Sequence, residues 1–470
     1  MQRNSYYKLP QVSIRIFVSL LIADAMLASS NCLYAQCPVA ELVAYNANPW
    51  GHFGKAVATS NDGAVVLIGA PKTLGGTYLF VREGLEYLHL QQLIPADLDP
   101  ADTLGVSVAL SYDGTTAIIT ASDDDDDVKE SAAYVFVKSG ETWIEQAKLL
   151  PPKSTNGTGF GGGEGAVLSA GGNTAVIGAL LDDEFGQNAG AAHIFERNPE
   201  TSQWSHQVKL LASDGEEGDW YGRSVDISGD GNIIVAGAFT NDSSTGAAYI
   251  NIRDPQTSQW TEQIKLTASD GQAGAQFGYS VAISGDGSTI LVGARNDDDG
   301  AGAAYVFIYD GDNWIEQAKL TDFIFFGTSV DISADGESAV IGSILGNGAA
   351  SYFTRHSGAW FKQSRFRLCN GFQTDLFGEQ VEISGDGKIA LIGARLRDLD
   401  YFNQGAAYVF DLTGSACSDI SGDGIVDITD LVVLLALWGE CGYPFTCPAD
   451  LNGDCTTNVR DLLILFANWG

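Results

Sequence analysis

One phrase recurs seven times along the chain, and this repeat constrains the fold more than any other feature. In its clearest copy, FGYSVAISGDGSTILVGA (residues 277–294), two alternating apolar segments flank a Gly-Asp-Gly turn and predict a β-hairpin. The Phe-Gly step, or a close variant of it, returns every 50 to 60 residues or so. Its glycines are Gly54, Gly105, Gly161, Gly222, Gly278, Gly327 and Gly378.

Each copy of the repeat predicts four strands. The hairpin ends at Gly-Ala or a related pair, and a third strand such as AAYVF (303–307) follows. A fourth strand carries an aromatic residue and a Lys-Leu pair, as in WIEQAKL (314–320). Four short strands in a unit of this length are typical of a propeller blade rather than a solenoid coil. The sequence therefore predicts an all-β, seven-bladed β-propeller over residues 36–414.

The two ends of the repeat region predict how the ring closes. The seventh copy stops after AAYVF (406–410), whereas an additional strand, AELVAY (40–45), precedes the first copy. We expect this N-terminal strand to complete the seventh blade, which leaves no free sheet edge. Cys37 and Cys417 would then lie near each other. A Cys37–Cys417 disulfide is one of several pairings open to the six cysteines that follow Cys32.

The first 35 residues differ from the rest of the chain. Arg3, Lys8 and Arg15 precede the apolar run IFVSLLIADAMLASS (16–30), and small residues follow as far as Ala35. This pattern predicts a cleaved secretory signal, with a single membrane anchor as the alternative. The chain is then secreted, extracellular or on the cell surface, with no membrane insertion after cleavage. An even number of cysteines in an exported chain is typical of disulfides.

The chain is strongly acidic, with a formal net charge of −34. Such a surface repels nucleic acids and anionic lipids. Strand polarity places the connections between strands 2 and 3, and between successive blades, on one face of the propeller. Much of the acid lies there, in DDDDD (123–127), DDE (182–184), DGEEGD (214–219), NDDD (296–299) and RDLD (397–400). These loops are either a binding surface or simply solvated.

The phrase FG…SVAISGDG…LVGA resembles the FG-GAP repeats of integrin α-subunit propellers and of many bacterial exported proteins, over roughly residues 39–412. The resemblance implies a ligand-binding role for the acidic face, with a protein or glycan as ligand. The family often carries a calcium loop in the first hairpin. Here Ile234 and Ala339 stand where the last carboxylate of that loop belongs. The SxDG motifs are therefore predicted to serve as turns.

The propeller sequence contains no recognisable catalytic constellation. Residues directly after Phe-Gly, such as Lys55, Arg223 and Glu379, are predicted to line the central channel. His193 replaces the tyrosine of AAYVF and is predicted to pack in the blade. We therefore expect no catalytic residues.

The C-terminal tail contains a duplicated unit, DISGDGIVDITDLVVLLALWG (419–439) and DLNGDCTTNVRDLLILFANWG (450–470). Each copy places oxygen ligands at the alternating positions that a calcium loop requires and continues into an apolar helix. Cys455 occupies the glycine position of the second loop, which puts its affinity in doubt. The predicted Ca²⁺ ligands are Asp419, Ser421, Asp423, Ile425 through its carbonyl, Asp427 and Asp430, then Asp450, Asn452, Asp454, Thr456, Asn458 and Asp461.

These loop–helix repeats resemble a type I dockerin over residues 415–470. The resemblance implies calcium binding and docking to a cohesin-like or cell-surface protein. Two loop residues that commonly form a Ser-Thr type pair in dockerins are here Ile428-Thr429 and Val459-Arg460, which leaves the partner open.

Two functions are consistent with the sequence. The first is a secreted, non-catalytic adhesion or scaffold protein with a ligand on the propeller face and a calcium-dependent tail. The second is a secreted polysaccharide-degrading enzyme, or its carbohydrate-binding accessory, attached through the tail. The first is favoured because the channel shows no catalytic pattern.

Overall fold

A computed structural model describes residues 38–413, except 48, 72–75, 85, 99–101, 123–130, 153–158, 323, 346–347, 369–372 and 400. It also describes residues 428–440 and 456–467. The predicted signal segment, every cysteine and most of the predicted calcium ligands lie outside the described residues. The disulfide pairings therefore remain predictions.

The predicted seven-bladed β-propeller is confirmed, since the chain forms seven four-stranded antiparallel sheets. Blade 1 contains β2 (Ala56–Thr59), β3 (Val65–Ala70), β4 (Gly76–Glu83) and β5 (Glu86–Leu93). Blade 2 contains β6 (Thr103–Leu110), β7 (Thr116–Ser122), β8 (Ala132–Ser139) and β9 (Thr142–Leu149). Blade 3 contains β10 (Ala166–Leu168), β11 (Thr174–Ala179), β12 (Ala191–Arg197) and β13 (Trp204–Leu210). Blade 4 contains β14 (Val225–Ile227), β15 (Ile233–Ala238), β16 (Ala247–Arg253) and β17 (Trp260–Leu266).

The remaining blades follow the same order. Blade 5 contains β18 (Phe277–Ile283), β19 (Thr289–Ala294), β20 (Ala303–Tyr309) and β21 (Trp314–Leu320). Blade 6 contains β22 (Val330–Ile332), β23 (Ser338–Ser343), β24 (Ala349–His356) and β25 (Ala359–Phe366). Blade 7 contains β26 (Val381–Ile383), β27 (Ile389–Ala394), β28 (Ala406–Asp411) and β1 (Ala40–Leu42).

The described helices are short. Two single turns, α1 (Asn241–Ser244) and α2 (Asp297–Gly300), follow β15 and β19, and a 3₁₀ turn spans Gln373–Asp375. In the tail, α3 (Ile428–Ala436) and α4 (Val459–Ala467) contact each other, and β29 (Gly439–Glu440) pairs with β30 (Thr456–Thr457).

The predicted ring closure is confirmed by the pairing of β1 with β28. The two strands are antiparallel, with Ala40 opposite Val409 and Leu42 opposite Ala407. The Val39 amide extends the ladder by donating to the Val409 carbonyl over 2.7 Å. The first and last parts of the propeller sequence are thus held in one sheet.

The hydrophobic core consists of seven clusters, one between each pair of neighbouring blades. Between blades 4 and 5, for example, Val235 and Ile250 pack against Phe277 and Val292. The seventh cluster joins Leu42 and Val409 of blade 7 to blade 1 and closes the ring. Most middle strands are buried on both faces, so they read as nearly continuous apolar runs.

The glycines of the repeat mark close contacts between neighbouring blades. A Cβ atom on Gly237, at the end of β15, would lie 2.0 Å from the carbonyl oxygen of Gly278 in blade 5. Gly278 itself has a φ of 83°, a conformation that side chains disfavour. The two glycines of the Phe-Gly and Gly-Ala steps meet in this way at six of the seven interfaces, whereas between blades 2 and 3 Thr120 faces Gly161.

The WxEQ motif of the outer strands also has an inter-blade role. The indole of Trp360 donates to Gln317 of the preceding blade over 3.0 Å, and Trp204 donates to Gln146 over 2.9 Å. The motif glutamate accepts from the connection that precedes its own blade, as Glu316 of blade 5 does from the amide of Ser269. Both contacts fix the outer strands relative to one another.

Candidate functional site

The SxDG motifs form hydrogen-bonded turns. In blade 5 the Ser284 hydroxyl donates to Asp286 over 2.5 Å, and the amides of Ser288 and Thr289 donate to Asp286 and Ser284. Five other blades repeat the Ser–Asp contact at 2.6–2.7 Å. The turn role predicted for these residues is what the structure shows.

The acidic connections on the opposite face are organised around lysines. In blade 5 the ammonium group of Lys319 lies 2.8, 2.7 and 3.0 Å from carboxylates of Asp270, Asp297 and Asp298. Asp270 and Asp297 also accept from the hydroxyl of Tyr305. One lysine thus ties the loop after β19 and the loop before β18 to the sheet.

Other blades contain related clusters. Lys265 contacts Asp214, Asn241 and Asp242 in blade 4, and Lys209 contacts Asp182 and Glu184 in blade 3. Lys148 in blade 2 pairs with Asp97. These four lysines contact eight carboxylates, so they offset part of the acidic charge of the described loops and hold the loops in place.

In blade 7 the charges at two positions of the cluster described for blade 5 are reversed. Glu41 of β1 stands opposite Tyr408, the place that Lys319 takes opposite Tyr305 in blade 5. Arg397 stands where blade 5 has Asp297, three residues after the alanine of Gly-Ala. Arg397 donates to Asp375 over 2.6 Å, and Tyr408 donates to Glu41 over 2.7 Å. The cluster thus keeps residues of both charges although the signs at two of its positions are exchanged.

An axial cavity of about 150 Å³ is lined by the first strands of all seven blades. Its wall carries the carboxyl groups of Glu164, Asp226, Asp331 and Glu382. At the positions equivalent to Asp226, blades 1, 2 and 5 have Ala58, Ala109 and Ala282. The acid is thus concentrated in blades 3, 4, 6 and 7.

The cavity carboxyl groups link neighbouring blades. Asp226 accepts from the amide of Ile283 over 2.7 Å, and Asp331 accepts from the amide of Ile383 over 2.6 Å. Burial in the cavity wall raises the pKa of Asp226 to about 7 and that of Asp331 to about 8. Burial and repulsion from Asp331 also raise the pKa of Glu382. Each of these groups therefore keeps its proton to a higher pH than an ordinary carboxyl group does.

Both ends of the cavity are narrowed. In blade 3 the chain between Phe160-Gly161 and the turn serine is two residues longer than in the other blades, and Glu164 in this segment accepts from Gln380 of blade 7 over 2.9 Å. At the other end, the Tyr112 ring lies near the axis, since a Cβ atom on Gly285 would be 2.7 Å from its hydroxyl. Backbone hydrogen bonds, such as Asn61 to Tyr112 and Tyr112 to Ala170, also join the turns there.

The channel mouth, defined here as Trp220, Arg223, Phe239, Tyr279 and Arg295, lies on the face of the acidic connections. The guanidinium groups of Arg223 and Arg295 each lie 3.6 Å from the centre of the Tyr279 ring. Two groups this close cannot share one face of the ring, so they sandwich it. Beside the mouth, Glu379 pairs with both Lys55 and Arg395. The predicted channel residues Lys55, Arg223 and Glu379 are not in the wall of the axial cavity, whose lining in these blades begins one residue later, at Ala56, Ser224 and Gln380.

Little of the predicted calcium site lies within the described residues. Asp419, Ser421, Asp423, Ile425, Asp427, Asp450, Asn452 and Asp454 lie outside them. Asp430 belongs to α3 and Thr456 to β30. At the start of α4, Asp461 accepts from the amide of Asn458 over 2.8 Å, and Asn458 accepts from the amide of Arg460 over 2.8 Å. This reciprocal cap places both predicted ligands beside the helix N-terminus.

The described residues contain no group of three or more His, Cys, Asp or Glu side chains arranged to hold a metal ion. No helix among them has the length and apolar character needed to cross a bilayer. His193 is buried against His206 and Phe160 as predicted, and burial lowers its pKa to about 4.

Two features of the site were not predicted, although the sequence contains a departure from the repeat at each of them. The GGGEG segment (161–165) lengthens the spacing between Phe-Gly and the turn serine by two residues in blade 3 alone, and it places Glu164 at the cavity. Arginine follows Gly-Ala in blades 5 and 7, at Arg295 and Arg395, whereas other blades have different residues there. Both are departures from the repeat close to its axis.

A family model for the FG-GAP repeat matches five segments, residues 88–136, 143–195, 204–251, 260–307 and 360–410, which together span just over half of the chain. Each segment runs from the fourth strand of one blade to the third strand of the next. The sequence repeat is thus offset from the blade by one strand, as the ring closure requires. No curated protein matches the chain.

Proposed function

Because the chain belongs to the FG-GAP repeat family, we propose that it is a secreted, non-catalytic adhesion or scaffold protein. The face formed by the acidic connections binds a protein or glycan ligand. Residues 415–470 form a dockerin-like domain that docks to a cohesin-like or cell-surface partner when calcium is bound. The signal segment, residues 1–35, directs export and is removed.

One observation carries this proposal, namely that the loops of this face are held in place before any ligand arrives. Lys319, Lys265 and Lys209 each tie acidic loop residues to a blade through ammonium–carboxylate contacts. A preorganised surface loses little conformational entropy on binding, which favours affinity. The channel mouth lies at the centre of this surface and has half-buried arginine and aromatic side chains.

Calcium would be held in the tail by the loop residues that precede α3 and α4. The described part of the second loop suits this role, because Asp461 is fully buried beside Asn458 at the start of α4. Calcium would neutralise carboxylates that otherwise repel one another. The first loop supplies Asp419, Ser421, Asp423, the Ile425 carbonyl, Asp427 and Asp430.

A polysaccharide-degrading enzyme, or its carbohydrate-binding accessory, is the second candidate. The observation that favours it is the raised pKa of Asp226 and Asp331 in the axial cavity, because glycoside hydrolysis uses a pair of carboxyl groups. It ranks second because the Glu164–Gln380 contact crosses the cavity at one end. The oxygens of Asp226 and Asp331 are also occupied by backbone amides.

Retention and product release on a panel of plant and algal polysaccharides separate the two functions. The full chain and a chain lacking residues 415–470 are incubated with each insoluble polymer. We expect retention of both proteins on at least one polymer without soluble sugar products. Product release that survives the deletion would contradict the non-catalytic function and favour the second candidate.

A further inference from the structure

We infer that the channel mouth binds the carboxylate of a sugar acid in an acidic oligosaccharide. This inference rests on the proposed function, because it names the ligand class for the same face. It depends on the charge, the geometry and the aromatic surroundings of Arg223 and Arg295.

The two arginines lie outside the ion pairs of the described residues, although the carboxyl group of Glu164 attracts Arg223 from a longer distance. Neither forms an ion pair with a carboxylate in the part of the chain that the structure describes, although the protein carries a net charge of −34. Arg223 donates to the Tyr279 carbonyl over 2.6 Å, and Arg295 donates to Gln276 over 2.7 Å. Each guanidinium has five donors, so several remain for a ligand.

The pair is held together although its charges repel. The Tyr279 ring separates the guanidinium groups, and its faces attract both cations. Both side chains are half-buried, and burial together with the charge of Arg223 lowers the pKa of Arg295. An oxyanion at this position would relieve the repulsion and accept paired hydrogen bonds from a planar guanidinium.

The surroundings favour a sugar that carries one isolated charge. Trp220 is half-buried and packs edge-on against Phe239, which in turn packs against Tyr279, so an aromatic row leads to the arginines. Aromatic side chains with a few convergent polar groups are typical of ligand sites. Glu164 lies below the mouth and the acidic loops surround it, so a dense polyanion is disfavoured.

Calorimetric titration of the full chain with trigalacturonate, and with its fully methyl-esterified form, tests the inference. The ester keeps the sugar rings and removes the charge. We expect trigalacturonate to bind and the ester to bind at least about tenfold more weakly, because a charge-assisted hydrogen bond is lost. Equal binding of the two forms, or no binding of trigalacturonate, would overturn the inference.

Substitutions locate the site. Arg223→Gln and Arg295→Gln should each weaken trigalacturonate binding by about tenfold or more, whereas Arg253→Gln, which removes a cation paired with Glu196, should leave it unchanged. Arg295→Lys keeps the positive charge but loses the planar pair of donors, so it should also weaken binding if the carboxylate accepts two hydrogen bonds from the guanidinium group. Wild-type affinity in both glutamine variants would refute the assignment.

Two further outcomes distinguish this inference from the proposed function. Tighter binding of a sulfated oligosaccharide than of trigalacturonate would overturn the carboxylate assignment. The chain could instead be retained on a neutral polysaccharide or on a protein, with neither glutamine substitution changing this binding. That result would overturn the channel mouth as the site, while the proposed binding function would stand. Release of sugar products would instead contradict the non-catalytic function.

Discussion

At the scale of single residues, the exchange of charges in blade 7 has the largest expected effect on stability. Arg397 and Asp375 are each about 1% exposed and lie next to Glu41 and Tyr408. Since blades 2, 4 and 5 place lysine opposite the equivalent tyrosine, the reversed charges match the N-terminal strand to its own blade. This is our interpretation of why Glu41 and Arg397 depart from the repeat.

Replacing Arg397 by methionine tests this interpretation. We expect Arg397→Met to lower the free energy of unfolding by about 3 kcal/mol or more, because it leaves buried carboxylates without their cation. Adding Asp375→Asn should restore part of the loss, whereas Lys388→Met at an exposed pair should have little effect. Chemical denaturation measures each difference. An Arg397→Met protein as stable as the wild type would refute the role of the buried pair.

The Asp331 carboxyl group should make the propeller less stable as the pH rises. Burial raises its pKa to about 8 in the folded chain, whereas an unperturbed aspartate has a pKa of about 4. Between these values the folded chain holds a proton that the unfolded chain has lost, so the free energy of unfolding decreases with increasing pH. This contribution is fully present at the low end of the range and is lost as the pH passes through the folded pKa.

Asp331→Asn removes this titration. We expect the stability of Asp331→Asn relative to the wild type to increase from about pH 5 to about pH 8, as followed by thermal unfolding. Asp286→Asn is the control. Partial burial tends to raise the pKa of Asp286, but hydrogen bonds from Ser284 and Ser288 outweigh it and the pKa is lowered. Its difference from the wild type should therefore stay constant over this range. A constant difference for Asp331→Asn as well would contradict the raised pKa.

Some residue roles follow from the sequence and others do not. The SxDG turns and the packing of His193 are predictable because each depends on neighbours within one hairpin or blade. The Glu164–Gln380 contact is not, since its partners are 216 residues apart and meet only across the ring axis. The ion clusters were missed for the same reason, because Lys319 and Asp270 come from opposite ends of a blade.

At the scale of elements, β1 is short but completes a sheet. Leu42 and Ala44 are buried in the cluster between blades 7 and 1, and β1 covers the edge of β28. We expect deletion of residues 37–46 to lower the Tm of the whole propeller, because the ring opens and β28 becomes an exposed edge. Removal of residues 415–470 is the matched control and should leave this Tm unchanged. An unaltered Tm in the N-terminal deletion would show that β1 is dispensable.

The strands themselves were predictable because the repeat appears seven times. A single hairpin such as residues 277–294 leaves the fold open, but seven copies with an additional strand at the start allow only a closed ring. Strand order and the closure by β1 follow from that count. The two single turns α1 and α2 were not predicted. They arise from consecutive residues with positive φ, such as Asp298 and Asp299, that no pattern marks.

At the scale of the whole molecule, the proposal divides the chain into a calcium-independent propeller and a calcium-dependent tail. The carboxylates of the SxDG turns already accept hydrogen bonds from the protein, as Asp230 does from Ser228. The tail has little core of its own, and Leu434 and Leu465 are among its few buried side chains. We therefore expect so small a domain to depend on bound calcium for stability.

Helical circular dichroism of the full chain, recorded in calcium and in chelator, tests this division most directly. Within the described ranges, α3 and α4 are the only helices longer than one turn, so the helical signal reports the tail. We predict that calcium increases this signal, that Asp430→Ala removes most of the increase, and that the propeller melts at the same temperature in both conditions. An equal helical signal with and without calcium, or a propeller that melts far lower in chelator, would contradict the account.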